Sequence, residues 1–181
     1  MPPQNEWLIV VDMQRAFADP PSPWAVPDFY KALAQVERLL PAYGGRAVLT
    51  RYVPPKGPTG AWIPYFELFP FALRPEDDPL WDLKLPAGAG VFIETRTTFS
   101  KWDESMAGLT GPGNPIAVCG VPTECCVLTT VLGAIDRGRF VRLIPDACAA
   151  GSPQGDEQAL GILLGFAPMV SVASTDEVLF G

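Results

Sequence analysis

Six short runs of apolar, largely β-branched residues recur along the chain, and each run ends near a polar residue or a turn. The runs are Trp7–Val11, Arg46–Leu49, Val91–Ile93, Ile116–Val118, Phe140–Ile144 and Met169–Val172. Their apolar character is continuous rather than alternating, which is typical of strands buried on both faces. The sequence therefore predicts a six-stranded, mainly parallel sheet.

Helical patterns separate these runs. The first has apolar residues spaced by four and three, at Phe29, Leu33, Val36, Leu40 and Tyr43. Asp28 is its predicted N-cap, and Gly44 lies just past its end. A second helix is predicted over 124–137 and a third near 157–164. Alternating strands and helices imply right-handed crossovers, so we expect an α/β fold, a three-layer α/β/α sandwich formed by one domain over 1–181.

Composition excludes several classes of protein. The 181 residues carry 13 Lys and Arg against 20 Asp and Glu, and this net charge of −7 argues against nucleic acid as a partner. The sequence has no histidine, which excludes Ser-His-Asp and Cys-His catalysis and metal sites built on imidazole. The run Leu8–Val11 is too short for a signal peptide, and no stretch approaches the roughly 20 apolar residues of a membrane span. We expect a cytoplasmic protein with reduced thiols and no membrane partner.

Two long segments interrupt the alternation of strands and helices. Asp19–Pro27 contains four prolines and Pro54–Pro86 contains eight. The second also holds Trp62, Tyr65, Phe66, Phe69, Phe71 and Trp81. Loops of this length in a compact domain are usually functional, and so many aromatic side chains favour a lid or an interface over a plain surface excursion.

Three reactive side chains follow predicted strands. In open α/β sheets, ligands bind beyond the carboxyl ends of the strands, where Asp12, Arg96 and Cys126 are expected to converge. Cys126 falls in the first turn of a helix, where the macrodipole and a nearby guanidinium are expected to lower the pKa of its thiol. Asp12 is the candidate general base. The other three cysteines, Cys119, Cys125 and Cys148, are interpreted as structural.

These segments resemble the isochorismatase-like cysteine hydrolase superfamily, which includes nicotinamidases and N-carbamoylsarcosine amidohydrolase. The resemblance rests on V-D-M-Q at 11–14, R-T-T-F-S-K-W at 96–102 and G-V-P-T-E-C-C-V at 120–127. It implies the isochorismatase-like hydrolase fold, a catalytic triad of Asp12, Arg96 and Cys126, and a covalent acyl-enzyme. It also implies a cis peptide bond before Pro122 and a homodimer or homotetramer, for which 54–86 is the candidate interface.

The chain departs from the family pattern at three places. Arg96 stands where the family has a lysine; Lys101 is the alternative cation, but the alignment of Phe99-Ser100 favours Arg96. Pro122 has no N–H to contribute to an oxyanion hole. The metal-binding histidines of nicotinamidases are absent, so we expect neither a metal nor another cofactor.

The sequence thus favours a metal-free cysteine hydrolase that cleaves a C–N bond of a small carboxamide or ureido substrate through Cys126. Phe17, Trp24, Trp62 and Pro122 are the predicted substrate-binding residues, although the aromatic side chains could equally be packing residues. One alternative is a vinyl-ether hydrolase of the isochorismatase type, which would use Asp12 and need no cysteine. Another is a diverged, weakly active member that only binds a ligand.

Overall fold

Six parallel strands form one sheet in the order β3-β2-β1-β4-β5-β6 in the computed structural model, which describes residues 1–85 and 91–181. The strands are β1 (Trp7–Val11), β2 (Ala47–Tyr52), β3 (Val91–Arg96), β4 (Ile116–Gly120), β5 (Val141–Cys148) and β6 (Val170–Val172). The prediction of an α/β fold with a mainly parallel sheet is confirmed: the five pairings between the strands of the sheet are parallel, and an isolated bridge between Gln14 and Leu83 is antiparallel.

Seven α-helices are found in the described residues. They are α1 (Arg15–Ala18), α2 (Phe29–Tyr43), α3 (Trp62–Leu68), α4 (Glu104–Leu109), α5 (Leu128–Ile135), α6 (Pro153–Leu164) and α7 (Thr175–Phe180). Short 3₁₀ helices at Pro70–Ala72 and Pro79–Trp81 and a π-helical turn at Thr123–Val127 complete the set. None of the described helices has the length and apolar character needed to cross a membrane.

The sheet separates two hydrophobic cores, which explains the continuous apolar runs. Leu8 and Val10 of β1 pack into the core beneath α2 and α7, whereas Ile9 and Val11 pack into the core beneath α5 and α6. Successive side chains of a strand point to opposite faces, so a strand covered on both faces needs an apolar residue at each position. All four side chains are essentially inaccessible to solvent.

The predicted helices are present, but the N-terminal capping of the first and the first residue of the third differ from the prediction. Gly44 ends α2 at a positive φ of 55°, as its position suggested. The Asp28 carboxylate does not cap α2 and instead contacts Lys31 at 2.6 Å. The third helix begins at Pro153 rather than near residue 157, because the Ser152 hydroxyl accepts the Gly155 N–H and starts it earlier.

The two proline-rich segments pack against each other over the carboxyl end of the sheet. Trp24 of the first segment lies 5.0–6.5 Å, between ring centroids, from Tyr65, Phe69, Phe71 and Trp81 of the second. Much of their aromatic surface is therefore internal. Pro86, the last residue of the predicted interface segment, lies outside the described residues, and an interface formed by 54–85 stays a prediction.

Gly120 allows β4 to approach β1 closely. Its φ is +117°, and a Cβ there would overlap the Val11 carbonyl oxygen. Gly120→Ala is expected to destabilise the fold by about 4 kcal/mol or more, because the clash involves the main chain of the central strand. Gly138→Ala is the matched control: φ is +75° but no atom lies within 4 Å, so about 1–2 kcal/mol of strain is expected. Urea denaturation measures both losses of stability. Equal losses in Gly120→Ala and Gly138→Ala would contradict the role of the clash with Val11.

Candidate active site

Asp12 and Lys101 form a fully buried ion pair at the carboxyl end of β1. The Lys101 Nζ lies 2.8 Å from the Asp12 Oδ2, and neither side chain is exposed. The ammonium also donates to the Thr98 carbonyl oxygen at 2.7 Å. The Thr50 hydroxyl donates to the Asp12 Oδ1 at 2.7 Å and accepts the Asp12 N–H at 3.1 Å. These contacts hold the carboxylate in one orientation.

The backbone of Asp12 is itself held in an uncommon conformation. Its φ is +48°, and it is the only non-glycine residue with a positive φ in the described part of the chain. Aspartate tolerates this left-handed region better than most residues, and such conformations concentrate at functional sites. The nearby Gln14 secures the turn, because its side-chain amide bonds both the N–H and the carbonyl of Tyr52 and also the carbonyl of Trp81.

Arg96 does not join Asp12, so the assignment of the cationic position is corrected to Lys101. The Arg96 guanidinium lies 2.8 Å from Glu94 and 2.8 Å from Asp103, the N-cap residue of α4. In the loop after β3, Lys101 is fully buried, whereas Arg96 at the end of the strand is not. The Lys101 N–H donates to the Thr130 hydroxyl at 2.9 Å, which fixes the main chain there.

Cys126 lies in the π-helical turn that precedes α5. The Val121–Pro122 bond before this turn is cis. The Pro122 carbonyl accepts the N–H groups of Cys125 and Val127, whereas no acceptor outside the turn takes the Cys126 N–H among the described residues. The Thr130 hydroxyl donates to the Cys126 carbonyl at 2.6 Å, so one threonine links the cysteine turn to Lys101.

Cys125 and Cys126 are hydrogen-bonded to each other, and their pKa values move in opposite directions. The bond from Cys126 lowers the pKa of Cys125, with help from Lys101. The same bond raises the pKa of Cys126, and burial and the Asp12 charge raise it further, although Lys101 opposes them. The expected lowering of the Cys126 pKa is therefore not found, and the raised pKa favours the thiol over the thiolate.

Removal of the neighbouring thiol is expected to make Cys126 reactive at lower pH. In Cys125→Ala the hydrogen bond that raises the pKa of Cys126 is lost, so the thiolate forms at lower pH. The measurement is the pH dependence of iodoacetamide alkylation, read for the peptide that contains Cys126. Cys148→Ala is the control, because burial, together with the Asp156 and Asp146 charges, raises the pKa of Cys148 to about 12, and Cys148 is not among the groups that shift the pKa of Cys126. An unchanged profile in Cys125→Ala would contradict the coupling.

A cavity of about 270 Å³ opens above the two cysteines. Its lining includes five aromatic residues, both cysteines of the turn, and a proline, a glutamate and a glycine: Phe17, Trp24, Tyr52, Tyr65, Phe99, Cys125, Cys126, Pro122, Glu124 and Gly151. This volume lies just below the usual range for drug-sized ligands, which suits a small substrate.

The predicted binding residues are placed as follows. Phe17, Trp24 and Pro122 line the cavity, but Trp62 does not. Trp62 packs 4.9 Å from the Phe99 ring, and Phe99 provides the cavity wall in its place. Cys125, interpreted from the sequence as structural, also reaches the cavity. Cys119 is fully buried in the core, as its apolar surroundings suggested.

The fold and the cavity agree with a comparison with known protein families. Residues 6–175 match the isochorismatase domain model, so the chain belongs to the isochorismatase family of hydrolases. Among curated proteins, the streptothricin hydrolase of Streptomyces noursei is 33% identical over 148 residues. That alignment covers 78% of this chain and 53% of the relative, so the chain spans about half the length of the curated relative that it matches.

Solved structures share the fold at lower identity. A cysteine hydrolase from Pseudomonas syringae pv. phaseolicola has a TM-score of 0.80 and 22% identity, over 99% of this chain and 92% of its own. The N-carbamoylsarcosine amidase of Thermoplasma acidophilum has a TM-score of 0.73 and 17% identity, over 95% and 97% of the two chains. The nicotinamidase of Bacillus subtilis has a TM-score of 0.74 and 17% identity, over 94% and 99%.

Proposed function

We propose that the protein is a metal-free cysteine hydrolase that cleaves a C–N bond in a small carboxamide or ureido compound. The observation that carries this proposal is that Cys126 lines a small cavity and lies near enough to the buried Asp12–Lys101 pair for both charges to act on the pKa of its thiol. The amidase, nicotinamidase and streptothricin hydrolase names of similar proteins support an amide-type substrate.

Asp12 acts as the general base in the first step. Because Cys126 rests as a thiol, its proton passes to Asp12 while the sulfur attacks the carbonyl carbon of the substrate. The C–N bond then breaks, the leaving nitrogen takes the proton from Asp12, and a thioester remains on Cys126. A water molecule attacks this thioester and Asp12 accepts its proton. The C–S bond then breaks to release the acid, and Asp12 returns the proton to the departing sulfur, which restores the thiol and the carboxylate.

When the sulfur attacks the substrate carbonyl, the carbonyl oxygen becomes an anion. Few hydrogen-bond donors of this chain are free to stabilise that oxygen. Pro122 has no N–H, so the N–H of Cys126 is the main-chain donor left for this oxygen. Lys101 uses two of its three ammonium donors, on Asp12 and Thr98, which leaves one donor and the positive charge. We assign to Lys101 the orientation of Asp12; because Lys101 is buried and does not line the cavity, it acts on the anionic oxygen through its positive charge rather than by direct contact.

The vinyl-ether alternative predicts a different dependence on Cys126. A reaction carried by Asp12 alone needs no nucleophile, so Cys126→Ser would retain it. A protein that only binds a ligand would form no covalent intermediate at all. A comparison of Cys126→Ser with Cys125→Ser therefore distinguishes both alternatives from the proposed reaction.

The test combines ammonia release from a panel of small amides and ureido compounds with intact-protein mass spectrometry after rapid acid quench. Wild type is expected to release ammonia and to carry an acyl group on Cys126. Cys126→Ser is expected to lose both signals, by at least about 1,000-fold in turnover. Cys125→Ser is the matched control and is expected to keep the adduct on Cys126. Equal turnover in Cys126→Ser would overturn the cysteine mechanism.

A further inference from the structure

We propose that the substrate carries a fixed positive charge close to its scissile amide, an inference that rests on the proposed function. Every titratable side chain lining the cavity, within the described residues, is an acid: Tyr52, Tyr65, Glu124, Cys125 and Cys126. None is a lysine or an arginine. Tyrosine and cysteine side chains are uncharged in their protonated forms, so the one carboxylate of this lining, Glu124, gives it a negative rather than a positive formal charge.

The arginines that could have received an anionic substrate are engaged elsewhere. Arg51 pairs with Glu76 at 3.0 Å, and Arg96 pairs with Glu94 and Asp103. Arg15 contacts Asp82 at 3.8 Å. None of these guanidinium groups lines the cavity. Lys101 is neutralised by Asp12 and donates a second hydrogen bond to a carbonyl, so it offers little attraction to a carboxylate substrate.

Glu124 provides the negative charge. It lies two residues before Cys126 on the same turn, so a cation that it attracts is close to the reacting carbon. Its Oε1 accepts the Gly151 N–H at 2.9 Å, which fixes the side chain at the cavity wall. Its Oε2 is buried without a hydrogen-bond partner. A buried carboxylate oxygen left unpaired is costly, and the attraction of a substrate cation in the adjacent cavity would offset part of that cost without direct contact to this oxygen.

The aromatic wall fits the same ligand. Trp24 stands at its centre, stacked on Phe17 at 5.9 Å, with the edge of Tyr52 at 6.0 Å and Tyr65 at 6.5 Å. Aromatic faces attract cations through their quadrupole, and walls of several rings recognise quaternary ammonium groups. Lys101 already lies 5.0 Å from the Tyr52 ring centroid, so the substrate cation is expected at the Trp24 and Phe99 side, away from the like charge.

The experiment compares three amides of similar size. Trimethylglycinamide carries a quaternary ammonium, 3,3-dimethylbutanamide is its neutral isostere, and succinamate is anionic. Wild type is expected to hydrolyse the ammonium compound with a kcat/KM at least about tenfold above that of the isostere, and succinamate least of all. Glu124→Gln keeps the acceptor for Gly151 and removes the charge, so this ratio is expected to fall about fivefold or more.

Glu157→Gln is the matched control, since it removes the same charge from an exposed position on α6 outside the cavity. Its ratio should stay that of wild type. Equal or faster hydrolysis of the isostere by wild type would overturn the cation site and leave the cysteine hydrolase intact. If wild type hydrolyses none of the three, calorimetric binding decides: tighter binding of the ammonium compound supports the cation site while the hydrolase fails, and equal or absent binding overturns both.

Discussion

Lys101→Met is expected to lower the free energy of unfolding by about 3–5 kcal/mol and the turnover by at least about 100-fold. The substitution leaves the Asp12 carboxylate buried, with the Thr50 hydroxyl as its remaining side-chain partner. An uncompensated buried charge costs far more than an exposed one, because water cannot solvate it. Urea denaturation and steady-state ammonia release, both at a temperature where the variant is folded, measure the two effects.

Arg96→Met is the matched control for Lys101→Met. Arg96 pairs with carboxylates that keep some contact with solvent, so the expected cost is about 1 kcal/mol and turnover should change little. The double variant Asp12→Asn/Lys101→Met separates stability from catalysis: it removes both charges and should recover much of the lost stability without recovering turnover. A loss of turnover in Arg96→Met as large as that in Lys101→Met would return the cationic position to Arg96.

The sheet could be predicted from the sequence because strands buried on both faces appear as continuous apolar runs. The two central strands, β1 and β4, have no charged or hydroxyl residue at any position, and the helices between strands show the 3.6-residue period. Strand ends were less certain, since β3 continues through Glu94 to Arg96 on polar residues. Edge strands tolerate such residues because only part of their surface is covered.

The site was only partly predictable for a different reason. Asp12 and Cys126 follow strands directly, so their positions along the sheet edge are determined by the strand ends. Lys101 follows a loop, and loop geometry decides which of two cations five residues apart turns inward. One local signal favoured Lys101: it precedes the apolar Trp102, whereas Arg96 has the carboxylate Glu94 two residues before it and threonines on either side. Side chains that act through tertiary contact, such as Thr130 and Glu124, left no separate signal.

Asp12→Asn is expected to affect turnover and thiol reactivity in opposite directions. Turnover should fall by about 100- to 10,000-fold, because asparagine cannot accept the Cys126 proton. The Asp12 charge contributes to the raised pKa of Cys126, so its removal lowers that pKa and brings alkylation to lower pH. Lys101, no longer paired with a carboxylate, lowers it further. Ammonia release and the alkylation profile of Cys126, recorded on the same preparation, test both expectations.

The opposite signs are what distinguish a general base from a positioning group. If Asp12 only oriented Lys101, its loss would disorder the cation, and turnover and thiolate formation would fall together. Thr50→Val supplies the matched comparison, since it removes the hydroxyl that orients Asp12 but leaves the carboxylate and its charge in place. Turnover in Thr50→Val should fall less than in Asp12→Asn, by about tenfold, with the alkylation profile near that of wild type. If alkylation of Cys126 and turnover both fell in Asp12→Asn, Asp12 would act by positioning its neighbours and not by accepting the Cys126 proton.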